Sequence, residues 1–253
     1  MLISPPATNH SLYSINSDSP PTNNEVADAP TAIRTKRGIA DKYSLWRQHS
    51  TITIAFMDTS PAFRAFIQKH IEKNYAPLIN LKLNFVEGTQ GDIRISTSAD
   101  IKGDWSIIGT GALTVPANEP TMHLDLNKTE EMFKMNILHE FGHALGLRHE
   151  HKHPDRTLDF NLPRMYELYK KQFNFDKVEV YEQILQKLNP ADIIASDYDP
   201  TSIMHYNLSR LVLWKQKSTG YNAKLSNHDK ALLQSIYPRP KPGSVRPLRR
   251  DIG

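Results

Sequence analysis

His139-Glu-Phe-Gly-His-Ala-Leu-Gly-Leu-Arg-His149 is the stretch on which the reading of this chain turns, and it fits the pattern H-E-x-x-H-x-x-G-x-x-H. On a helix, His139 and His143 stand at i and i+4, so both imidazoles leave one face a turn apart. That spacing lets two ring nitrogens reach one zinc ion at about 2.0–2.1 Å. Glu140 follows the first histidine and points beside the metal, where a carboxylate serves as base toward a metal-bound water. A continuing helix would carry His149 away. Gly146 accepts a positive φ, so the chain can fold back there and let His149 complete a three-histidine site for one Zn2+ per chain. With each named residue at roughly 5% frequency, the five-residue pattern arises by chance in about one such chain in ten thousand. A structural zinc site usually closes with four protein ligands, commonly including cysteine, whereas three histidines leave a position open for water.

Working outward, Asn127 is the expected N-cap of this helix, with Glu130 in the capping-box place. Met132, Met135, Leu138, Phe141, Ala144 and Leu145 make its expected apolar face. Upstream, Thr51-Ile-Thr-Ile-Ala-Phe-Met57 alternates as a strand, and Pro61 opens a helix with Phe63, Phe66, Ile67 and Ile71 on one face. Leu81-Lys-Leu-Asn-Phe-Val86 and Asp92-Ile-Arg-Ile-Ser96 alternate again, with further extended pieces around 105–108 and 121–126. Strand, helix and strand form a βαβ unit, hence a mixed sheet with at least one parallel pair. Beyond residue 150 the pattern weakens, with a helix expected over 178–188 and a last one from Ser226, capped with Asp229 and ending before Pro238.

The chain's 253 residues suit one domain with tails. Residues 1–45 read as a flexible leader or pro-segment, with Pro5, Pro6, Pro20, Pro21 and Pro30 among small polar residues. The catalytic domain is expected over 46–238 and a basic, flexible tail over 239–253. The net charge of +4 is that tail's: without residues 238–253 the chain holds 26 basic and 26 acidic side chains. The body therefore carries no basic face that calls for nucleic acid, and a nucleic-acid reading rests on the tail alone. The absence of cysteine excludes disulfide scaffolds, thiolate zinc fingers and thiol catalysis. No apolar run reaches the roughly 18–20 residues of a membrane span. The first nine residues lack a basic region followed by an apolar one, so no ordinary signal peptide is read. The expected compartment is the cytoplasm, or a destination reached by a specialised, non-classical route.

The zinc motif followed at once by Glu150 resembles the astacin family of metzincin metallopeptidases. His149-Glu-His-Lys-His-Pro-Asp-Arg156 is similar to that family's H-E-x-x-R-x-D-R, with His153 in the arginine place. Tyr198-Asp-Pro-Thr-Ser-Ile-Met-His-Tyr206 resembles Y-D-Y-x-S-I-M-H-Y, Gly103-Asp-Trp-Ser-Ile-Ile-Gly109 resembles the edge strand G-C-W-S-x-V-G, and Leu225-Ser-Asn-His-Asp229 with Tyr237 matches the final helix. The resemblance implies a metzincin-like α+β fold: a twisted mixed sheet with two main helices in an N-terminal subdomain, a zinc cleft, and a less regular C-terminal subdomain. It implies that Met204 makes a turn beneath the metal, that Tyr206 lies near it and assists catalysis, and that Glu150 is a structural neighbour of the site. It implies further that Trp105, Ser106 and Ile107 form the edge strand along which an extended substrate lies. Two departures stand out: Asp104 replaces the edge-strand cysteine, and no F-x-G-D inhibitory motif occurs in residues 1–45.

The expected activity is therefore that of a zinc metalloendopeptidase using a zinc-bound water and Glu140 as general base, with a polypeptide substrate and a monomeric chain. A catalytically silent zinc module that binds peptides is the alternative, against which the retention of Glu140 and Tyr206 argues. The other histidines have plainer readings: His151 and His153 as polar loop residues at the cleft margin, and His205 as a hydrogen-bonded partner of the site.

Overall fold

The computed structural model describes residues 38–215 and 218–240. Residues 1–37 of the expected leader, and the expected tail beyond residue 240, lie outside the described residues. In chain order the elements are β1 (Ile39–Asp41), β2 (Thr51–Phe56), α1 (Pro61–Asn74), β3 (Lys82–Glu87), β4 (Ile93–Ser96), β5 (Trp105–Ser106), β6 (Met122–His123), α2 (Glu130–Ala144), α3 (Leu162–Phe173), α4 (Lys177–Val180), β7 (Ile193–Ala195) and α5 (Asn227–Ile236).

Five strands form one mixed sheet in the order β3-β2-β4-β6-β5. The pairs β2–β3, β2–β4 and β4–β6 are parallel, as the βαβ reading requires, and only β5 runs antiparallel, at the edge. The interior strand β2 presents Ile52, Ile54 and Phe56 to the core, where Ile67 and Ile71 of α1 and Phe133, Ile137, Leu138 and Phe141 of α2 meet them. A smaller cluster, built from Met165 and Tyr169 of α3 with Val180, Ile184, Leu208, Val212 and Leu213, forms the less regular C-terminal part. Helix α5 does not join that part. Its Leu232, Leu233 and Ile236, with Tyr237, return to the main core.

Several local expectations move. Helix α2 is capped by Thr129, whose hydroxyl accepts from the Met132 N–H at 3.3 Å, not by Asn127. The Asn127 N–H donates instead to the Asp125 carboxylate at 2.9 Å, an Asx turn that takes the residue out of capping position. The buried face of α2 accordingly runs through Phe133 and Ile137, while Met132 sits at the margin. The helix expected over 178–188 is shorter: α4 passes into a π turn at Tyr181–Leu185 and ends.

The folded unit also begins before residue 46. Strand β1 pairs with β7, Ile39 and Ala40 are buried, and this segment grips the turn that ends α2. The Asp41 N–H donates to the Gly146 carbonyl at 2.8 Å and the Arg148 N–H to the Ile39 carbonyl at 2.9 Å. At the same helix end, the Trp46 indole N–H donates to the Ala144 carbonyl at 2.7 Å and the Tyr237 hydroxyl to the Leu145 carbonyl at 2.8 Å. These are carbonyls that a helix terminus leaves without an intrahelical partner. Gly146 has φ +95°, the Gly146 N–H donates to His143 and the Leu147 N–H to Gly142, which together make a Schellman turn.

A Cβ at residue 146 would stand 2.8 Å from a Leu45 methyl in a backbone conformation that side chains avoid. Gly146→Ala is expected to cost about 1–3 kcal/mol, visible in calorimetry as a midpoint lowered by roughly 2–4 °C for each kcal/mol in a protein of this size. An unchanged midpoint would refute this account of the turn.

Candidate metal centre and active site

Helix α2 carries His139 and His143 one turn apart, and the turn at Gly146 brings His149 back to them. One ligand atom from each of the three lies within 4.8 Å of the other two. The ring planes converge: His143 lies 4.4 Å from His149 between centroids and 4.9 Å from His139, nearly edge-on to both.

The backbone fixes which nitrogens face inward. His139 Nδ1 lies 2.8 Å from the Ile203 carbonyl and His143 Nδ1 lies 2.8 Å from the Leu147 carbonyl. A carbonyl only accepts, so each Nδ1 carries the hydrogen and each Nε2 keeps its lone pair for the site. His143 Nε2 and His149 Nε2 approach to 3.0 Å, where two lone pairs repel unless a cation or proton lies between them. Burial holds all three rings below their ordinary pKa, His143 down to about 3, so they stay neutral as metal binding demands. The donor set fits zinc: three neutral imidazoles, two of them oriented by backbone acceptors, with no fourth histidine, cysteine or carboxylate joining them among the described residues.

Around this centre the expected residues are assembled. Glu140 is 6% exposed, and burial, reinforced by the nearby Asp104 charge, pushes its carboxyl well above the usual range. Tyr206 places its ring 4.3 Å from that of His149. Met204 lies directly under α2, so close that a Cβ on Gly142 would stand 2.6 Å from its sulfur. Only glycine permits that approach. The Met204 carbonyl accepts from the Glu150 N–H at 3.0 Å, fixing the chain just past the third histidine. Glu150 is wholly buried and accepts from the Asp199 N–H at 2.7 Å. Burial pushes its carboxyl up to about 8, with Asp229 and Asp199 adding to the effect against that hydrogen bond.

Trp105 and Ser106 form the edge strand β5, as expected. Ile107 lies just past it, and its N–H is taken by the Thr121 carbonyl at 2.8 Å. Backbone alternation then turns the N–H and C=O of Ser106 toward the open edge.

Two readings change. His151 and His153 are fully buried, not marginal loop residues. His151 stacks on Tyr206 with centroids 4.2 Å apart, and His153 Nδ1 accepts from the Asp155 N–H at 2.9 Å. His205 is the hydrogen-bonded partner expected, lying between the Tyr198 hydroxyl at 2.7 Å and the Tyr206 carbonyl at 2.8 Å. One contributor gave no spacing signal as a site residue. Asp229 accepts from the Ile203 N–H at 2.9 Å and the Ser202 hydroxyl at 2.7 Å, while also closing the α5 capping box with Ser226. Ile203 thus donates its N–H to Asp229 and orients His139 with its carbonyl.

The buried rings give the metal-free protein a pH signature. His139, His143, His149, His151, His153 and His205 all sit below the ordinary value of 6.5 because of burial. Above 6.5 neither state binds the proton. As pH falls below it, the unfolded chain takes up protons that the folded rings refuse, down to about 3 for His143, so stability is lost with acid. Glu140, Glu150 and Asp229, held above their ordinary values, oppose this but are outnumbered. Denaturant midpoints of the chelator-treated protein are expected to fall between pH 7 and pH 5, and a rise would contradict the assignment.

Comparison with known proteins bears on the same residues. The model of the peptidase family described as Astacin matches residues 38–237. Among curated proteins, the zinc metalloproteinase nas-36 of Caenorhabditis briggsae is 31% identical over 121 residues, 43% of this chain and 18% of that protein. The zinc metalloproteinase dpy-31 of Haemonchus contortus is 31% identical over 113 residues, 40% of this chain and 19% of that protein. The aligned part thus spans about a fifth of those relatives' length. Among solved structures, that of myroilysin superposes with a TM-score of 0.74 at 31% identity, covering 81% of this chain and all of that one. High choriolytic enzyme 1, a hatching enzyme zinc-protease from Oryzias latipes, shares the fold with a TM-score of 0.51 at 21% identity, over 77% of this chain and 94% of its own. With the family model running from Gly38 to Tyr237, across the histidine triad and the turn under it, the chain belongs to the astacin family of peptidases.

Proposed function

We propose that this chain is a zinc-dependent metalloendopeptidase that hydrolyses internal bonds of extended polypeptide segments. The observation that carries the reading is the convergence of His139, His143 and His149 with a buried Glu140 one residue from the first ligand. His139, His143 and His149 would hold the zinc, which supplies Lewis acidity and an acidified water when bound.

The rest is the work of this chain's own side chains. Glu140, in its low-dielectric setting, is suited to accept a proton from the attacking water and return it to the leaving amine nitrogen. Tyr206 lies beside His149 and stacks on His151, and that proximity supports a role in donating its hydroxyl hydrogen to the oxyanion that develops on the scissile carbonyl. The outward N–H and C=O of Ser106 offer an extended substrate backbone the pairing an edge strand provides. Such pairing favours segments already free of secondary structure, and it is indifferent to chain ends.

Glu140→Gln is expected to retain one zinc per chain by metal analysis while kcat on an unfolded protein substrate falls about 10²–10⁴-fold; undiminished hydrolysis would sink the mechanism. Tyr206→Phe removes one oxyanion donor, and kcat is expected to drop about 10²–10³-fold with KM little changed. A raised KM at unaltered kcat would assign the tyrosine to binding instead.

A further inference from the structure

Strand β5 is poorly secured by its own ladder. It is two residues long and pairs with a strand of two residues, Trp105 opposite His123 and Ser106 opposite Met122. So short an edge strand does not hold a fixed position by main-chain pairing alone. The chain contains no cysteine, so no disulfide secures it either.

His123 Nδ1 meets the Gly103 carbonyl and the Ile107 N–H the Thr121 carbonyl within the sheet, and the residue before the strand ties it to the helix. Asp104 has a side chain only 9% exposed, and its carboxylate gathers three donors. Oδ1 accepts from the Asp125 N–H at 2.9 Å, while Oδ2 accepts from the Asn136 side-chain amide at 2.7 Å and from the Lys128 ammonium. Lys128 is itself mostly buried, at 17% side-chain exposure, so the pair is poorly screened by water. Asn136 is the informative partner. It lies three and four residues before His139 and Glu140, on the same stripe of α2, one turn from a metal ligand and the general base. One carboxylate therefore spans from the backbone just before the substrate-pairing residues to the helix that carries the catalytic groups.

We propose that Asp104 is a positioning residue: it clamps strand β5 to helix α2 and so fixes the distance between the paired substrate and Glu140. It touches neither substrate nor metal. The inference rests on the peptidase reading for its kinetic consequence, because only a substrate that pairs with β5 feels the clamp. A misplacement of about 1 Å in such a framework costs on the order of 10²-fold in rate. A short substrate spanning only the scissile bond does not use the strand and is spared.

The test compares wild type, Asp104→Ala, and the double change Lys128→Ala with Asn136→Ala, which dismantles the clamp from its partners on α2 and just before it if the first variant folds poorly. Each protein, zinc-loaded, is assayed on an unstructured long peptide and on a short fluorogenic peptide with the same scissile bond, and amide hydrogen exchange is followed at the inward-facing amides of Trp105 and Ile107. The expected result is exchange at these two amides faster by about tenfold or more and kcat/KM on the long peptide reduced by about 10-fold to 10²-fold. Asp104→Ala removes a charge that raises the Glu140 carboxyl and the double change one that lowers it, so rates are compared at the plateau of each variant's pH profile. There the short substrate is expected to change by less than about threefold, with zinc content at one per chain. Asp104→Asn, whose amide oxygen still accepts from the Asp125 N–H, is expected to fall between wild type and Asp104→Ala. Unchanged exchange in both clamp variants, or equal losses on long and short substrates, would overturn the proposal. Faster exchange in a protein whose wild type cuts neither peptide would uphold the clamp and remove the peptidase reading, so the two failures are told apart.

Discussion

The reversal of the chain at Gly146 is the constraint on which the site depends. Two histidines on one helix face converge without help, but the third must come from a segment travelling another way. A single residue with φ +95° achieves this, and the structure surrounds it with hydrogen bonds from Asp41, Trp46, Tyr237 and the Schellman pair. The partners come from the first described strand, the segment after it and the end of the last helix. Both ends of the described chain are thereby enlisted to hold one turn.

A second layer of constraint lies beneath. Ile203 is held by Asp229 through its N–H and orients His139 through its carbonyl, while Met204 fits against Gly142 with no room for a side chain. Glu150 and Asp199 tie this floor to the segment carrying His149. Ligand orientation therefore comes from backbone carbonyls and buried carboxylates, as the outer layer of a metal site commonly requires. Its members lie far apart in sequence and meet only through the tertiary fold.

That separation explains what was legible in the sequence. The ligands, Glu140 and Gly146 form a local pattern whose spacing is dictated by helix geometry, and the βαβ unit follows from alternation and periodicity, so both could be read directly. Met204, Tyr206 and the edge strand became visible through family resemblance, since nothing local in them points to a metal. The misplaced details have physical causes. Asn127 lost the cap of α2 because Asp125 engaged it in an Asx turn. His151 and His153 looked like surface histidines because no periodicity marks a loop as buried. The segment around Ile39 looked like leader because its burial depends on β7 and on the end of α2, both distant in sequence. Asp104 read only as a missing cysteine, since its partners Lys128 and Asn136 acquire meaning once strand and helix are side by side.

The contact between Tyr237 and Leu145 carries a consequence for how the protein is made. The hydroxyl that satisfies the end of the metal-site helix comes from 92 residues further along the chain. Leu232, Leu233 and Ile236 of the same closing helix complete the main core. On the ribosome, where the chain emerges from its N-terminus, the three histidines are out in the open well before this helix is synthesised. The turn that gathers them stays incompletely braced until residue 237 has left the exit tunnel. The turn at the metal-site helix and the closing helix are therefore completed together, however far apart they lie in the sequence.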